Sequence, residues 1–134
     1  MRLTTRKASA IPRPTDGELE ILRVLWERGP GTVREVQEGL GGSRETGYTT
    51  VLKLLQIMTE KGLVRRDESE RAHVYAARVP REQTEKQLVG DLLDRAFAGS
   101  AATLVMRALS SKKASSEELA RIRQFLDELE GGRR

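Results

Sequence analysis

The chain of 134 residues contains no cysteine, a single histidine and only five aromatic residues. Each shortage removes a class of function. Without thiols there is no disulfide, thiolate metal site, iron–sulfur cluster or cysteine nucleophile. The lone His73 and scattered carboxylates make neither a metal cluster nor a serine–histidine–carboxylate set. GxxxxGK[ST], strand–GxGxxG–helix and HExxH are all missing, and Gly39, Gly41 and Gly42 read as a helix terminus rather than a phosphate loop. An enzyme is not expected, nor is a cofactor or a metal. No apolar run approaches the ~18 residues of a membrane span. The N-terminal MRLTTRKASAIPRP is basic but lacks the apolar segment of a secretory signal. The expected location is the cytoplasm, with no membrane insertion.

What the chain does have is charge, at 33% of residues, with a formal excess of +4. Residues 1–14 hold Arg2, Arg6, Lys7 and Arg13 and no acid. Residues 15–79 hold ten basic and eleven acidic residues, and residues 80–134 ten and nine. The excess is thus a basic arm on a nearly neutral body. Such an arm suits contact with nucleic acid, or is simply a solvated tail.

Thr15, with Glu18 three residues on, forms a capping box that opens a first helix. Leu19, Leu22 and Trp26 make its stripe, Ile21 and Leu25 widen it, and Gly29-Pro30 stops it. Thr32 and Glu35 repeat the capping signature for a short helix with Val33, Val36 and Leu40 inward, ended by Gly41-Gly42. The third helix runs to Gly62 with Val51, Leu54, Leu55 and Met58 at helical spacing. The period then changes. LVRR and HVYAARV read as antiparallel strands around the polar DESERA, too long a connection for a two-residue turn. Three helices and a hairpin between residues 15 and 79 are the order of a winged helix-turn-helix, the DNA-binding domain of a mostly α protein.

Residues 80–134 are helical in pattern. Leu88, Val89, Leu92, Leu93 and Ala96 lie on a helix from Arg81 to Phe97, broken at Gly99-Ser100. Leu104, Val105, Ala108 and Leu109 mark a shorter one. Ser115 and Glu118 cap a last helix carrying Leu119, Ile122, Phe125, Leu126 and Leu129, with Gly131-Gly132 after it. So small a helical unit buries too little surface to stand comfortably alone. Its stripes, with Leu88, Leu92, Leu93 and Phe97, suit a homodimer interface; packing back onto the same chain is the alternative.

The start of the third helix is unusual. Gly47, Tyr48, Thr49 and Thr50 are mediocre helix formers, and Lys53 continues their polar side. A helix entering the major groove of double-stranded DNA presents such N-terminal residues to base edges while its other face stays in the core. Threonine offers a hydroxyl for polar edges and a methyl for thymine. Thr46, Tyr48, Thr49, Thr50 and Lys53 are therefore candidate readers, with Arg44 suited to phosphate and Arg65, Arg66 and Arg71 to a wing. A frayed helix start explains Thr49-Thr50 equally well in isolation. Asp67, Glu68 and Glu70 on the same hairpin oppose phosphate. The competing class is a winged helix used only for protein–protein contact.

GTVREVQEGL, GYTTVLKLLQIMTEKGLVRR and ERAHVYAARVPREQTEKQLVGDLLDRAFAGSAATLV together resemble the BlaI/MecI/CopY penicillinase-repressor family of winged-helix regulators, from about Thr15 to Leu129. The resemblance implies a dimeric repressor of palindromic operator DNA, read by the Tyr48–Lys53 face and joined through the C-terminal helices. It also implies a membrane sensor-protease that triggers cleavage of the repressor in that helical part. The chain departs from the family in two places. It lacks the cysteine-rich motif of the copper-responsive branch, and Arg107-Ala108 stands where the cleavable Asn-Phe pair would fall.

Overall fold

The computed structural model describes residues 12–41 and 46–132. Arg44 and the basic arm up to residue 11 lie outside the described residues. The elements are α1 (Asp16–Arg28), α2 (Val33–Leu40), α3 (Tyr48–Lys61), β1 (Val64–Asp67), β2 (Val74–Ala77), α4 (Arg81–Ala96), α5 (Ala101–Ser111) and α6 (Ser116–Gly131). The architecture is a winged helix-turn-helix followed by a helical region. Described residues up to Val89 form one compact unit, and those from Gly90 onward a second. α4 runs from one into the other.

Local signals set most of the boundaries. Thr15 and Glu18 close a reciprocal capping box at α1, as do Thr32 and Glu35 at α2 and Ser115 and Glu118 at α6. Each satisfies two backbone groups that a helix start otherwise leaves unpaired. At the far end of α3, Gly62 takes φ +86° and donates its N–H back to the last turn, so the chain can leave the helix directly for β1.

The core of the first unit is Ile21, Leu22 and Leu25 of α1, Val33 and Val36 of α2, Val51, Leu55 and Met58 of α3, and Leu63, Val64, Tyr75 and Val79 of the hairpin region. The expected α1 stripe is displaced. Leu19 and Trp26 are only half-buried, while Glu18, Ile21, Leu22 and Leu25 face inward. Trp26 sits at the edge because its indole N–H donates to the Val79 carbonyl at 3.0 Å, with the Arg81 guanidinium 5.8 Å from its ring centre.

In the hairpin, Val64 pairs with Ala77, Arg65 with Ala76, Arg66 with Tyr75 and Asp67 with Val74. Asp67 thus belongs to the strand rather than to the turn expected at DESERA, and β2 stops at Ala77, short of Val79. A further pairing was not legible. Gly31 and Tyr75 exchange both backbone hydrogen bonds, at 3.0 and 2.8 Å, fastening the hairpin to the α1–α2 connection.

α1 and α2 meet closely at Gly39, where a Cβ would lie 2.5 Å from Val24 Cγ1. Helical Gly→Ala ordinarily stabilises by ~0.5–1 kcal/mol. Gly39→Ala should instead destabilise by about 1–3 kcal/mol through overpacking, measured by urea unfolding. Adding Val24→Ala should recover part of that loss; a stabilised Gly39→Ala single variant would contradict the packing.

Candidate nucleic-acid interface

Burial divides α3 into two faces. Val51, Leu55 and Met58 have no exposed surface, and Leu52 and Leu54 pack partly against them. Thr49, Lys53, Gln56 and Glu60 are exposed on the opposite side, and Tyr48, at 46%, and Thr50 are exposed on the flanks near the start of the helix. Thr49, Lys53, Gln56 and Glu60 follow one another at helical spacing, so they form a continuous polar row. Gln56 escaped the sequence reading, although counting one further turn from Lys53 reaches it. Its amide can pair bidentately with adenine.

The opening of α3 differs from those of the helices with side-chain caps. α1, α2 and α6 have capping boxes and α5 has Ser100, whose hydroxyl accepts from the Thr103 N–H. α3 begins at Gly47 with no side-chain acceptor. Among the described residues no side chain caps its first N–H groups, and such groups suit water or an anion. Nor do the Thr49 and Thr50 hydroxyls cap anything: they make no hydrogen bond among the described residues. Thr46, half-buried, is tied from the other side, its carbonyl accepting from the Gln37 side-chain amide at 3.2 Å.

The opposite end of α3 is anchored by an ion pair that the sequence did not reveal. Glu18 is 2% exposed, and Lys61 Nζ meets its two carboxylate oxygens at 3.0 and 2.9 Å. Glu18 Oε1 also accepts from the Thr15 N–H at 2.9 Å. One buried carboxylate therefore caps α1 and holds the last turn of α3, and each charge lies at the helix end whose dipole favours it.

On the hairpin, the expected wing arginines separate. Strand alternation sends Arg65 and Arg66 to opposite faces. Arg65 is exposed and forms no ion pair among the described residues. Arg66 shares its face with buried Tyr75 and meets Glu68 Oε2 through Nε at 2.7 Å. Tyr75 first, then Glu68, raises the Arg66 pKa above its ordinary value by favouring the charged form. Arg71 is exposed in the connecting loop. At the end of β1 Asp67 Oδ1 accepts from the Ser69 N–H at 2.9 Å, and hydrogen bonds from the Ser69 backbone and hydroxyl hold its carboxyl below the usual range.

The second unit has a different surface. None of the buried residues among those described belongs to it. Leu92, Val105, Leu109, Phe125, Leu126 and Leu129 are exposed, Phe125 at 59%, while Leu93, Phe97, Leu104, Leu119 and Ile122 are half-buried. Leu88, the remaining expected interface residue, is half-buried at the end of the first unit. An apolar groove of about 930 Å³ lies between α5 and α6, lined among others by Leu104, Val105, Leu109, Ile122, Phe125 and Leu129. No His/Cys/Asp/Glu group among the described residues could hold a metal ion, and no described helix is long and apolar enough to cross a membrane.

Three helices, a paired hairpin and a rigidly backed polar helix face define a winged-helix DNA-binding protein. Comparison with known proteins narrows this class: residues 14–128 match the penicillinase repressor family model, and the chain belongs to that family. The family is one of transcriptional repressors, not of enzymes. The chain is 34% identical over 124 residues to the transcriptional regulator BlaI of Mycobacterium tuberculosis, covering 91% of this chain and 88% of the relative. It is 25% identical over 118 residues to the penicillinase repressor of Bacillus licheniformis, covering 88% and 92%. Among solved structures it is similar to the DNA-binding domain of the repressor BlaI, at 25% identity and a TM-score of 0.48, covering 54% of this chain and 88% of that one.

The Glu18–Lys61 pair gives a direct stability test. Lys61→Met should strip a buried carboxylate of its partner and cost about 1–3 kcal/mol, the lower part being expected because Lys61 is partly solvated. Urea unfolding at neutral pH reads this, and an unchanged midpoint would show that the pair does not anchor α3.

Proposed function

We propose that the chain is a homodimeric transcriptional repressor acting in the cytoplasm, in which each copy lays α3 in a major groove of an inverted-repeat operator. The carrying observation is the division of α3: a fully buried Val51–Leu55–Met58 face behind an exposed Tyr48, Thr49, Thr50, Lys53 and Gln56 face. The uncapped N-terminus of α3 suits a phosphate, as does Lys53. Arg65 supplies a wing contact, with Arg71 beside it in sequence reach of the loop. The relatives' description as repressors supports the same reading.

The unit from Gly90 onward would join the two copies. Its apolar helices have no buried residue in a single chain, and burying a side chain such as Phe125 or Leu126 contributes about 1.5–3 kcal/mol. A second copy of the same groove supplies the missing surface and makes a two-fold axis, which demands an inverted repeat. Repression then follows from occupying the promoter. Relief follows from any signal that separates the copies, because a single half-site contact is far weaker than two linked ones. A membrane sensor-protease remains the family-level route to that signal, with Arg107-Ala108 at the position of the family's cleaved pair.

Two measurements test this. Lys53→Ala should weaken binding to every duplex and flatten the salt dependence by about 0.9 in log–log slope. Thr50→Val should instead shift base preference by about 1–3 kcal/mol at the addressed position. Unchanged DNA binding in both, with the fold intact, would remove α3 from the interface. Phe125→Glu should sediment at half the mass of the unaltered chain and lose its preference for an inverted repeat over a single half-site; a dimeric variant would refute the proposed interface.

A further inference from the structure

Arg66 and Glu68 sit two residues apart at the tip of β1, and their contact is more constrained than an ordinary surface pair. The Arg66 side chain lies on the face of Tyr75, its register partner, which is 1% exposed. Asp67 Oδ1 takes the Ser69 N–H at 2.9 Å and so fixes the bend at which Glu68 stands. The Arg66 stem and the backbone that carries Glu68 are thus both constrained where the side chains meet at 2.7 Å. Exposed pairs are usually weak because two long side chains must be ordered to form them; here much of that ordering is already supplied by the hairpin.

Resting on the DNA reading above, we infer that Glu68 is a positioning residue that withholds the Arg66 guanidinium from DNA phosphates and so keeps the sequence-independent part of binding weak. The surroundings agree. Arg65, Arg66 and Arg71 are matched on the same hairpin by Asp67, Glu68 and Glu70, leaving the wing without net charge. Arg65 points to the other face and stays available. Of the three wing arginines, only Arg66 has a carboxylate partner among the described ion pairs.

The test uses the full chain and duplex DNA of random sequence, with affinity read by fluorescence anisotropy over a series of salt concentrations. Glu68→Gln should bind roughly threefold more tightly at low salt, the size expected for releasing one surface pair, and its log–log salt slope should steepen by about 0.9, one more phosphate neutralised. In an Arg66→Ala background the same substitution should give no such gain, and Glu70→Gln, which touches no arginine among the described ion pairs, should give less. An unaltered slope in Glu68→Gln overturns the inference. So does an equal gain in the Arg66→Ala background, which would make Glu68 a repelling charge and nothing more. If the unaltered chain binds no duplex at any salt, the DNA reading itself fails and takes this inference with it.

Discussion

The whole arrangement depends on one buried seam: Val51, Leu55 and Met58 of α3 packed without exposure against α1, α2 and the start of the hairpin. Apolar packing at that density fixes the roll of α3 about its own axis. Once the roll is fixed, the opposite residues have no choice but to face solvent, weak helix formers or not. The stability that Tyr48, Thr49 and Thr50 fail to supply locally comes from the other side of the same helix. Both ends of α3 are then restrained by polar contacts, Gln37 to the Thr46 carbonyl and Lys61 to Glu18. A helix so held can present side chains with little freedom left to lose on binding, which is the condition for reading base edges.

Electrostatics adds a second constraint. Outside the basic arm the protein carries nearly balanced charge, so on the body the placement of charges matters more than their excess. Lys53 and Arg65 stand exposed, the N-terminus of α3 has no side-chain cap among the described residues, and three carboxylates on the hairpin offset its arginines. On the reading proposed above, the body needs base contacts and the joining of two copies to add to the phosphate attraction of Lys53, Arg65 and the basic arm. The apolar faces of α5 and α6 fit that need, since they leave an open groove where a single chain has no core.

Much of this was legible in the sequence, for specific reasons. Capping boxes at Thr15, Thr32 and Ser115 are local, so they stand where the residue pairs place them. The same holds for Gly62, whose left-handed turn ends α3 and whose position fixes the start of the wing. Most of what was missed depends on partners distant in the chain. Glu18 looked like a cap and nothing else, because Lys61 lies forty-three residues away. The Gly31–Tyr75 bridge joins a loop to a strand and leaves no periodic trace. Trp26 packs against the core as its place in the stripe implies, but the indole bond to the Val79 carbonyl leaves no periodic trace. Arg65 and Arg66 were grouped as one grip although strand alternation alone separates them. Gln56 needed only one more helical turn of counting. The resemblance to penicillinase repressors, carried by the α3 and hairpin residues, agrees with the family match over residues 14–128.

The central claim is that the exposed face of α3 meets DNA while its buried face does not move. Amide chemical shifts and hydrogen exchange of the full chain, recorded with and without a promoter inverted repeat, address both halves together. The largest shift changes are expected at Tyr48, Thr49, Thr50, Lys53 and Gln56, a second set at Arg65, and unchanged hydrogen-exchange protection at Val51, Leu55 and Met58. Changes confined to α5 and α6, with the α3 amides untouched, would contradict it.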